Sequence, residues 1–194
     1  MYKELSIPLK EIKRIPSMNF NELESTLTEN KKNLIEELHN LKKAIKKIES
    51  KEKNIEKVKY LESNPCCVEK RAFLPIKLFN YSENSLNKEM TQFYLSNPDE
   101  SVLVIDPEKS IVDYGAFTSE TDNNIFREKD SCEKLYLKGL LTIDANDINK
   151  NNCSELILNA EQLGYKTNTI IGKYLISACN DKRYDYYETW VELF

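Results

Sequence analysis

The sequence predicts an α+β protein in which a long coiled-coil helix precedes a duplicated strand–helix–strand–strand unit. Three observations support this prediction. Apolar residues repeat at heptad spacing in a segment without Pro or Gly, a strand–helix–strand–strand order follows, and the same order then recurs. Such self-similarity is the sequence trace of a duplication. We expect the two copies to build one curved antiparallel sheet with two helices on its outer side.

The short unit at the N-terminus is predicted to be helical. Ser6 can cap a helix with Pro8 near its first turn, and Pro16 ends this piece. The long helix begins at Asn19 or Asn21 and stops at Asn64–Pro65, because a residue before Pro disfavours helical backbone.

Heptad spacing within the long helix predicts a dimerisation surface. One side of the helix carries the residues that we call the apolar seam: Leu34, Leu38, Leu41, Ile45, Ile48 and Ile55. In a monomer this seam would be an exposed apolar stripe. We therefore expect a homodimer through the coiled coil.

The two modules follow the helix in matching order. The first extends from about Val68 to Thr118, with its strand, helix and hairpin strands at 68–78, 87–96, Ser101–Asp106 and Ile111–Thr118. Residues 119–132 are polar and are expected to form a mobile loop. The second module has its strands and helix at Leu135–Asp144, Ser154–Leu163, Thr169–Cys179 and Tyr184–Phe194, and Gly164 ends the helix.

Composition narrows the function classes. Residues 1–60 hold 14 Lys and Arg against 10 Asp and Glu, whereas the remainder holds 14 against 22. The acidic sheet part suits neutral or cationic ligands better than nucleic acid. No apolar run approaches the roughly 20 residues that a membrane span requires, so no membrane partner is expected.

The cysteine pattern gives no sign of a metal site or cofactor. Five cysteines show no CxxC spacing, and the single histidine, His39, lies on the long helix. The odd count and the lack of a signal peptide favour the cytoplasm, with the cysteines serving as small apolar residues. No nucleophile–base pair and no glycine-rich phosphate loop is visible, so no catalytic residue is predicted and the chain is not expected to be an enzyme.

Alternation along the last strands predicts a ligand pocket. Tyr186, Glu188 and Trp190 share a face of the final strand and could hold a flat or cationic ligand by stacking, cation–π contact and charge. In the neighbouring strand, Gly172 would leave room beside Tyr174 and Ile176. With the tyrosines of two comparable strands, the predicted ligand-binding set is Tyr114, Tyr136, Tyr174, Ile176, Tyr186, Glu188 and Trp190. The alternatives are a solvent face for the last strand and core or rim packing for each tyrosine.

The order of these parts resembles a known family. The opening YKELSIPLKEIKRI resembles the end of a MerR-family DNA-binding domain, and the long helix sits where that family has its antiparallel coiled coil. The two modules resemble the GyrI-like effector-binding domain. The resemblance implies a DNA-binding remnant at 1–16, a dimerisation helix at 17–64 and an effector-binding domain at 65–194. It further implies a cytoplasmic sensor for a small apolar or cationic effector bound in the concave face of the sheet.

Two departures from the family shape these expectations. The first departure is that the family's helix-turn-helix and wing would lie before Met1. DNA is therefore expected as a partner only if a helix-turn-helix segment precedes Met1. Many relatives carry a buried glutamate in the next-to-last strand, where this chain has Gly172 or, with a shift of two, Tyr174. We expect Glu188 to supply the charge instead, with its pKa raised by desolvation if it lies among rings. The alternatives are a free-standing GyrI-like module that binds a small molecule or protein, and a GyrI-like hydrolase that uses Glu188.

Overall fold

The computed structural model describes residues 5–79, 92–93, 96, 100–107, 111–118, 125–179 and 181–194. These residues form two compact units, Met1–Ser50 and Lys51–Phe194. The α+β class is confirmed, because a long helix precedes an eight-stranded antiparallel sheet. Of the helix predicted at 87–96, only residues 92, 93 and 96 are described.

The helices begin and end close to their predicted positions. Helix α1 spans Leu9–Arg14, a 3-10 turn follows at Ile15–Ser17, and α2 spans Phe20–Ser63. Asn19 caps α2 through a reciprocal pair in which Asn19 Oδ1 accepts from the Glu22 amide at 3.0 Å and Glu22 accepts from the Asn19 amide at 2.8 Å. The prediction of Ser6 as the cap of α1 is wrong, because Pro8 occupies that position. In the described part of the chain, neither length nor apolarity would let any helix cross a membrane.

The two modules contribute their strands to the sheet in the same order, counted outwards from the boundary between them. Its strands are β1 Cys67–Arg71, β2 Ile76–Leu78, β3 Ser101–Asp106, β4 Ile111–Phe117, β5 Lys134–Asp144, β6 Asp147–Asn151, β7 Thr167–Cys179 and β8 Arg183–Leu193. They are ordered β1-β5-β8-β7-β3-β4-β2, and β6 pairs with β5. The order β5-β8-β7 in the second module thus mirrors β2-β4-β3 in the first, and the modules meet where β7 pairs with β3.

The predicted single strand at 68–78 is wrong, because the chain breaks it into β1 and β2 at opposite edges of the sheet. A flat sheet of seven strands would separate those edges by about 29 Å. The five residue steps from Arg71 to Ile76 reach about 18 Å at most. The sheet must therefore curve, as the sequence predicted. Pro75 lies in the link and cannot donate to a strand ladder.

The direction of the curvature follows from the link itself. Phe73 lies 5.2 Å from Trp190 and 5.1 Å from Tyr136, between ring centroids. The edges therefore bend towards the face that carries Trp190, which we call the Trp190 face. Its apolar cluster comprises Phe73, Ile76, Val102, Val104, Tyr136, Ile171 and Trp190.

The opposite side of the sheet, which we call the α3 face, is covered by helix α3 at Cys153–Gln162. Leu156 and Ala160 of α3 pack against strand residues that include Leu137, Ile170 and Val191. A helix on the outer side agrees with the prediction for the second module. A third cluster docks the last turns of α2, where Val58 and Leu61 contact Leu175 and Tyr186.

Gly115 offers a direct test of how closely β2 approaches β4. A Cβ atom on Gly115 would lie 2.2 Å from the carbonyl oxygen of Lys77. We expect Gly115→Ala to lower the free energy of unfolding by about 1–3 kcal/mol, because backbone must shift. Urea denaturation measures the change. A Gly115→Ala variant as stable as the wild type would contradict the expectation.

Candidate functional site

Glu188 is buried on the Trp190 face, and both of its oxygens are ion-paired. Its residue exposure is 4%. The ammonium of Lys57, from α2, lies 2.8 Å from Oε2, and the ammonium of Lys138, from β5, lies 3.0 Å from Oε1. A helix and a neighbouring strand therefore each supply one cation to this carboxylate.

The expected rise in the pKa of Glu188 is wrong. Burial does favour the protonated acid, but the hydrogen bonds and charges of Lys57 and Lys138 outweigh it, so the pKa of Glu188 is lowered. Burial likewise opposes the charge of Lys138, yet Glu188 and Glu69 raise the pKa of its ammonium. The directions for Glu188 and Lys138 agree, and both groups are charged in the folded protein.

Trp190 is fully buried, and its ring already contacts two cationic side chains of the chain. Its indole N–H donates to Glu69 at 2.8 Å, and the guanidinium carbon of Arg71 lies 4.2 Å from its ring centroid. Lys138 lies 5.9 Å from the same ring. Cation–π contact was predicted for an outside ligand, whereas the described residues show it made by Arg71 and Lys138.

Tyr136 belongs to a polar network that the sequence did not reveal. Its hydroxyl oxygen accepts from Arg127 at 2.8 Å and donates to Asp130 at 3.3 Å. Asp130 also accepts from the Phe73 amide at 2.9 Å, and Arg127 reaches Glu192 at 3.3 Å. The expectation of a mobile loop is wrong for residues 125–130, which this network fixes to the Trp190 face. Residues 119–124 lie outside the described residues.

Burial, hydrogen bonds and nearby charges together set the pKa values in this network. Burial would raise the pKa of Asp130, but the Phe73 amide and the Arg127 guanidinium outweigh burial and lower it. Burial raises the pKa of Tyr136, and Arg127 offsets only part of that rise. Asp130 is therefore an ionised, stabilising acid, whereas Tyr136 is a neutral phenol.

A β-bulge separates two predicted site residues that were expected to share a face. The register shifts between Tyr174 and Ile176, so Tyr174 pairs with Tyr187 while Ile176 pairs with Tyr186. Tyr186 and Ile176 consequently pack with the end of α2. The Asn54 amide of α2 donates to the Leu175 carbonyl at 2.9 Å, which fixes the helix to the same strand.

Tyr114 and Tyr174 lie instead on the α3 face, near an acid that sequence reasoning missed. The Tyr174 hydroxyl lies 2.9 Å from Ser177 Oγ, and Ser177 donates to Asp185. Burial, followed by the charge of Asp185, raises the pKa of Tyr114 to about 12. The predicted ends of the last two strands, Cys179 and Tyr184, would set Ser177 opposite Tyr186, whereas the observed register is one residue different and pairs Ser177 with Asp185.

The predicted set is therefore divided between the two faces. The Trp190 face carries Tyr136, Ile176, Tyr186, Glu188 and Trp190, and the α3 face carries Tyr114 and Tyr174. The room expected at Gly172 is filled, because a Cβ there would lie 2.9 Å from Leu103 Cδ1. Among the described residues, no three His, Cys, Asp or Glu side chains are grouped so that they could hold a metal ion.

Two clefts in the Lys51–Phe194 unit lie away from these residues. One, of about 310 Å³, lies on the α3 face between β3, β4 and the start of α3. The other, of about 230 Å³, lies between the end of α2 and α3. None of the seven predicted ligand residues lines either cleft.

No known protein-family model matches the chain, and no curated protein sequence matches it. The resemblance to MerR regulators and GyrI-like domains therefore rests on the order of elements in this sequence. The family stays a prediction, and any function drawn from it is a proposal.

Acid should remove the stabilisation that Asp130 contributes. Its pKa is lower in the folded than in the unfolded chain, so this contribution is complete above the unfolded pKa of about 4 and is lost as the pH falls through the folded value. We expect Asp130→Asn to cost about 2 kcal/mol near neutral pH, since a charged hydrogen-bond partner is lost. Urea denaturation across the acid range should show the difference from wild type shrinking as the pH falls below about 4.

Asp181→Asn is the matched control, because Asp181 is exposed in the turn before β8. It should leave the stability profile unchanged. A stability difference for Asp130→Asn that stays constant down to the lowest pH would show that the charge of Asp130 is not what stabilises the fold.

Proposed function

We propose that the chain is the effector-sensing and dimerisation part of a MerR-like transcription regulator. A small apolar or cationic molecule would bind at the concave Trp190 face. The observation that supports this proposal is the ion pair between Lys57 and Glu188, because it ties the long helix directly to the acid of the sheet.

A cationic ligand can compete with Lys57 for this acid. The side chain of Lys57 is 44% exposed, whereas those of Lys138 and Glu188 are 22% and 5% exposed. Lys57 is therefore the partner that water and ligands reach most easily. Replacing one cation by another keeps the buried carboxylate paired, which avoids the large cost of an uncompensated charge.

Exchange at Glu188 would alter how α2 contacts the sheet. Lys57 lies beside Val58 and one turn from Leu61, the two buried residues that dock this end of α2. Suppose that a ligand binds more tightly when Lys57 is not paired with Glu188. By linkage, the gain in its binding free energy equals the free energy by which it weakens the docking of the helix on the sheet. The helix that carries the apolar seam would thus report on the ligand.

The exposed seam supports a second copy of the chain as the partner. Leu34, Leu38, Leu41, Ile45, Ile48 and Ile55 are 38–58% exposed. Burial of such side chains contributes about 1.5–3 kcal/mol each. We propose a homodimer through α2, with the antiparallel orientation that the resemblance implies.

The two alternative functions can be separated from this proposal. An in-frame helix-turn-helix in the coding DNA upstream of Met1 would support the regulator. A stop codon and ribosome-binding site there would favour the free-standing binding module. The hydrolase gains no support from Glu188, because its lowered pKa and two lysine partners make it a weak general base.

Cation binding can be followed through Trp190, the single tryptophan of the chain. We expect tetraphenylphosphonium to change its fluorescence saturably. Glu188→Gln should weaken binding about tenfold, which is the loss of roughly 1.4 kcal/mol of charge interaction. Lys57→Met should strengthen binding, because it removes the competing cation.

Glu62→Gln is the matched control, an exposed acid on the last turn of α2, and it should bind like the wild type. Equal affinities for wild type and Glu188→Gln, or no fluorescence change with the cation, would refute the role of Glu188. Lys57→Met keeps the test informative if Glu188→Gln folds poorly.

The dimer is tested by a charge placed in the apolar seam. We expect Leu41→Glu to weaken self-association at least about 100-fold, since each of two copies loses one buried side chain. Lys42→Glu changes charge on the neighbouring residue of the same helix and should remain dimeric. Sedimentation equilibrium measures both variants, and a monomeric wild type at micromolar concentration would contradict the proposal.

A further inference from the structure

The cleft of about 310 Å³ on the α3 face lies where the two modules meet. Ile105 of β3 and Ile170 of β7 pair across the module boundary and form its floor. Val112 of β4 stands on the side of the first module, and Ile157 of α3 on the side of the second. A molecule in this cleft would contact both halves of the duplicated sheet.

Seven of the ten described residues that line this cleft are apolar or cysteine, and none of these described residues is charged. An ion would lose its hydration there without gaining a compensating charge. Among the described lining residues, the polar side chains belong to β6 and the first turn of α3. Asn151 is already used, donating to the Ile148 carbonyl at 2.7 Å and accepting from the Cys153 amide at 3.0 Å, so the exposed Asn149 and Ser154 remain at the rim.

We propose that this cleft binds an uncharged small molecule with an apolar body and a single hydrogen-bonding end. Its volume falls at the lower limit of ligand pockets, which are about 300–1,000 Å³ and mostly apolar with a few polar groups. That size fits a small-molecule ring system and is too small for a helix of a partner protein. The hydrogen-bonding end would lie at Asn149 and Ser154.

This second site is independent of the proposed function. Glu188 points to the Trp190 face, whereas Ile105 and Ile170 belong to the cluster on the α3 face. The two sites also differ in chemistry, because one holds a charged acid and the described lining of the other holds none. Either can fail in experiment without the other.

Saturation binding of the uncharged fluorophore N-phenyl-1-naphthylamine tests the proposal. We expect one site per chain, with affinity reduced about tenfold or more by Ile157→Trp, which fills the cleft. Val112→Phe fills it from the opposite wall and gives a second variant if the first folds poorly. Leu158→Trp is the matched control, because Leu158 is 51% exposed on the same helix and does not line the cleft.

The thiol of Cys153, in the wall of the cleft, gives an independent readout. Burial raises its pKa to about 11, so it should react slowly with N-ethylmaleimide. The bound fluorophore should slow the reaction at Cys153 further and leave Cys132 and Cys179 unaffected. These two cysteines are exposed in the same molecules, and peptide mass spectrometry compares all three rates.

The outcomes separate the two sites. Retention of fluorophore binding in Glu188→Gln, with loss in Ile157→Trp and in Val112→Phe, would support the cleft. Loss of binding in Glu188→Gln would place the probe on the Trp190 face and overturn the proposal. So would the absence of saturable binding, equal losses in Ile157→Trp and Leu158→Trp, or equal protection of all three cysteines.

Discussion

The short link between β1 and β2 is the constraint on which the rest of the sheet depends. Because residues 72–75 must join opposite edges, the sheet has to curve, and it curves over Phe73. Phe73 also helps to hold residues 125–130 in place. Its backbone amide donates a hydrogen bond to Asp130, and Asp130 forms an ion pair with Arg127. The curvature of the sheet is therefore imposed by the length of this link and not by the propensities of the strands.

The curvature of the sheet also determines which charged side chains meet on the Trp190 face. A concave surface brings Lys57, Lys138 and Arg71 over the acids and rings of the last strand, so the described cations of the chain take the places that a cationic ligand would use. Binding of a cation there would have to be an exchange of partners. Such an exchange would limit the affinity, because the ligand gains only the difference in free energy between its own contacts and those of Lys57. It would suit a sensor better than a protein that binds its ligand tightly.

The sequence predicted the elements better than the arrangement of their side chains. The helix α2 and the strands β3, β4, β5, β7 and β8 carry strong local signals, such as the Asn19 cap and the hairpin turns, whereas β6 was not predicted. The division of 68–78 at Pro75 and the bulge after Tyr174 both reverse the alternation on which face assignments depend. Arg127 and Asp130 could not be found by periodicity, because their roles arise from contacts with distant residues. Face assignments therefore held only where a strand continued without interruption.

Adjacent residues of β7 serve the two faces of the sheet, which governs how binding experiments must be interpreted. Ile170 lies in the floor of the α3-face cleft, and Ile171 packs in the cluster around Trp190. Close packing transmits small shifts of one strand to both sides. A change in Trp190 fluorescence alone therefore cannot assign a ligand to either face. Only the paired comparison of Glu188→Gln with Ile157→Trp locates it, because each substitution changes side-chain chemistry on one face of the sheet.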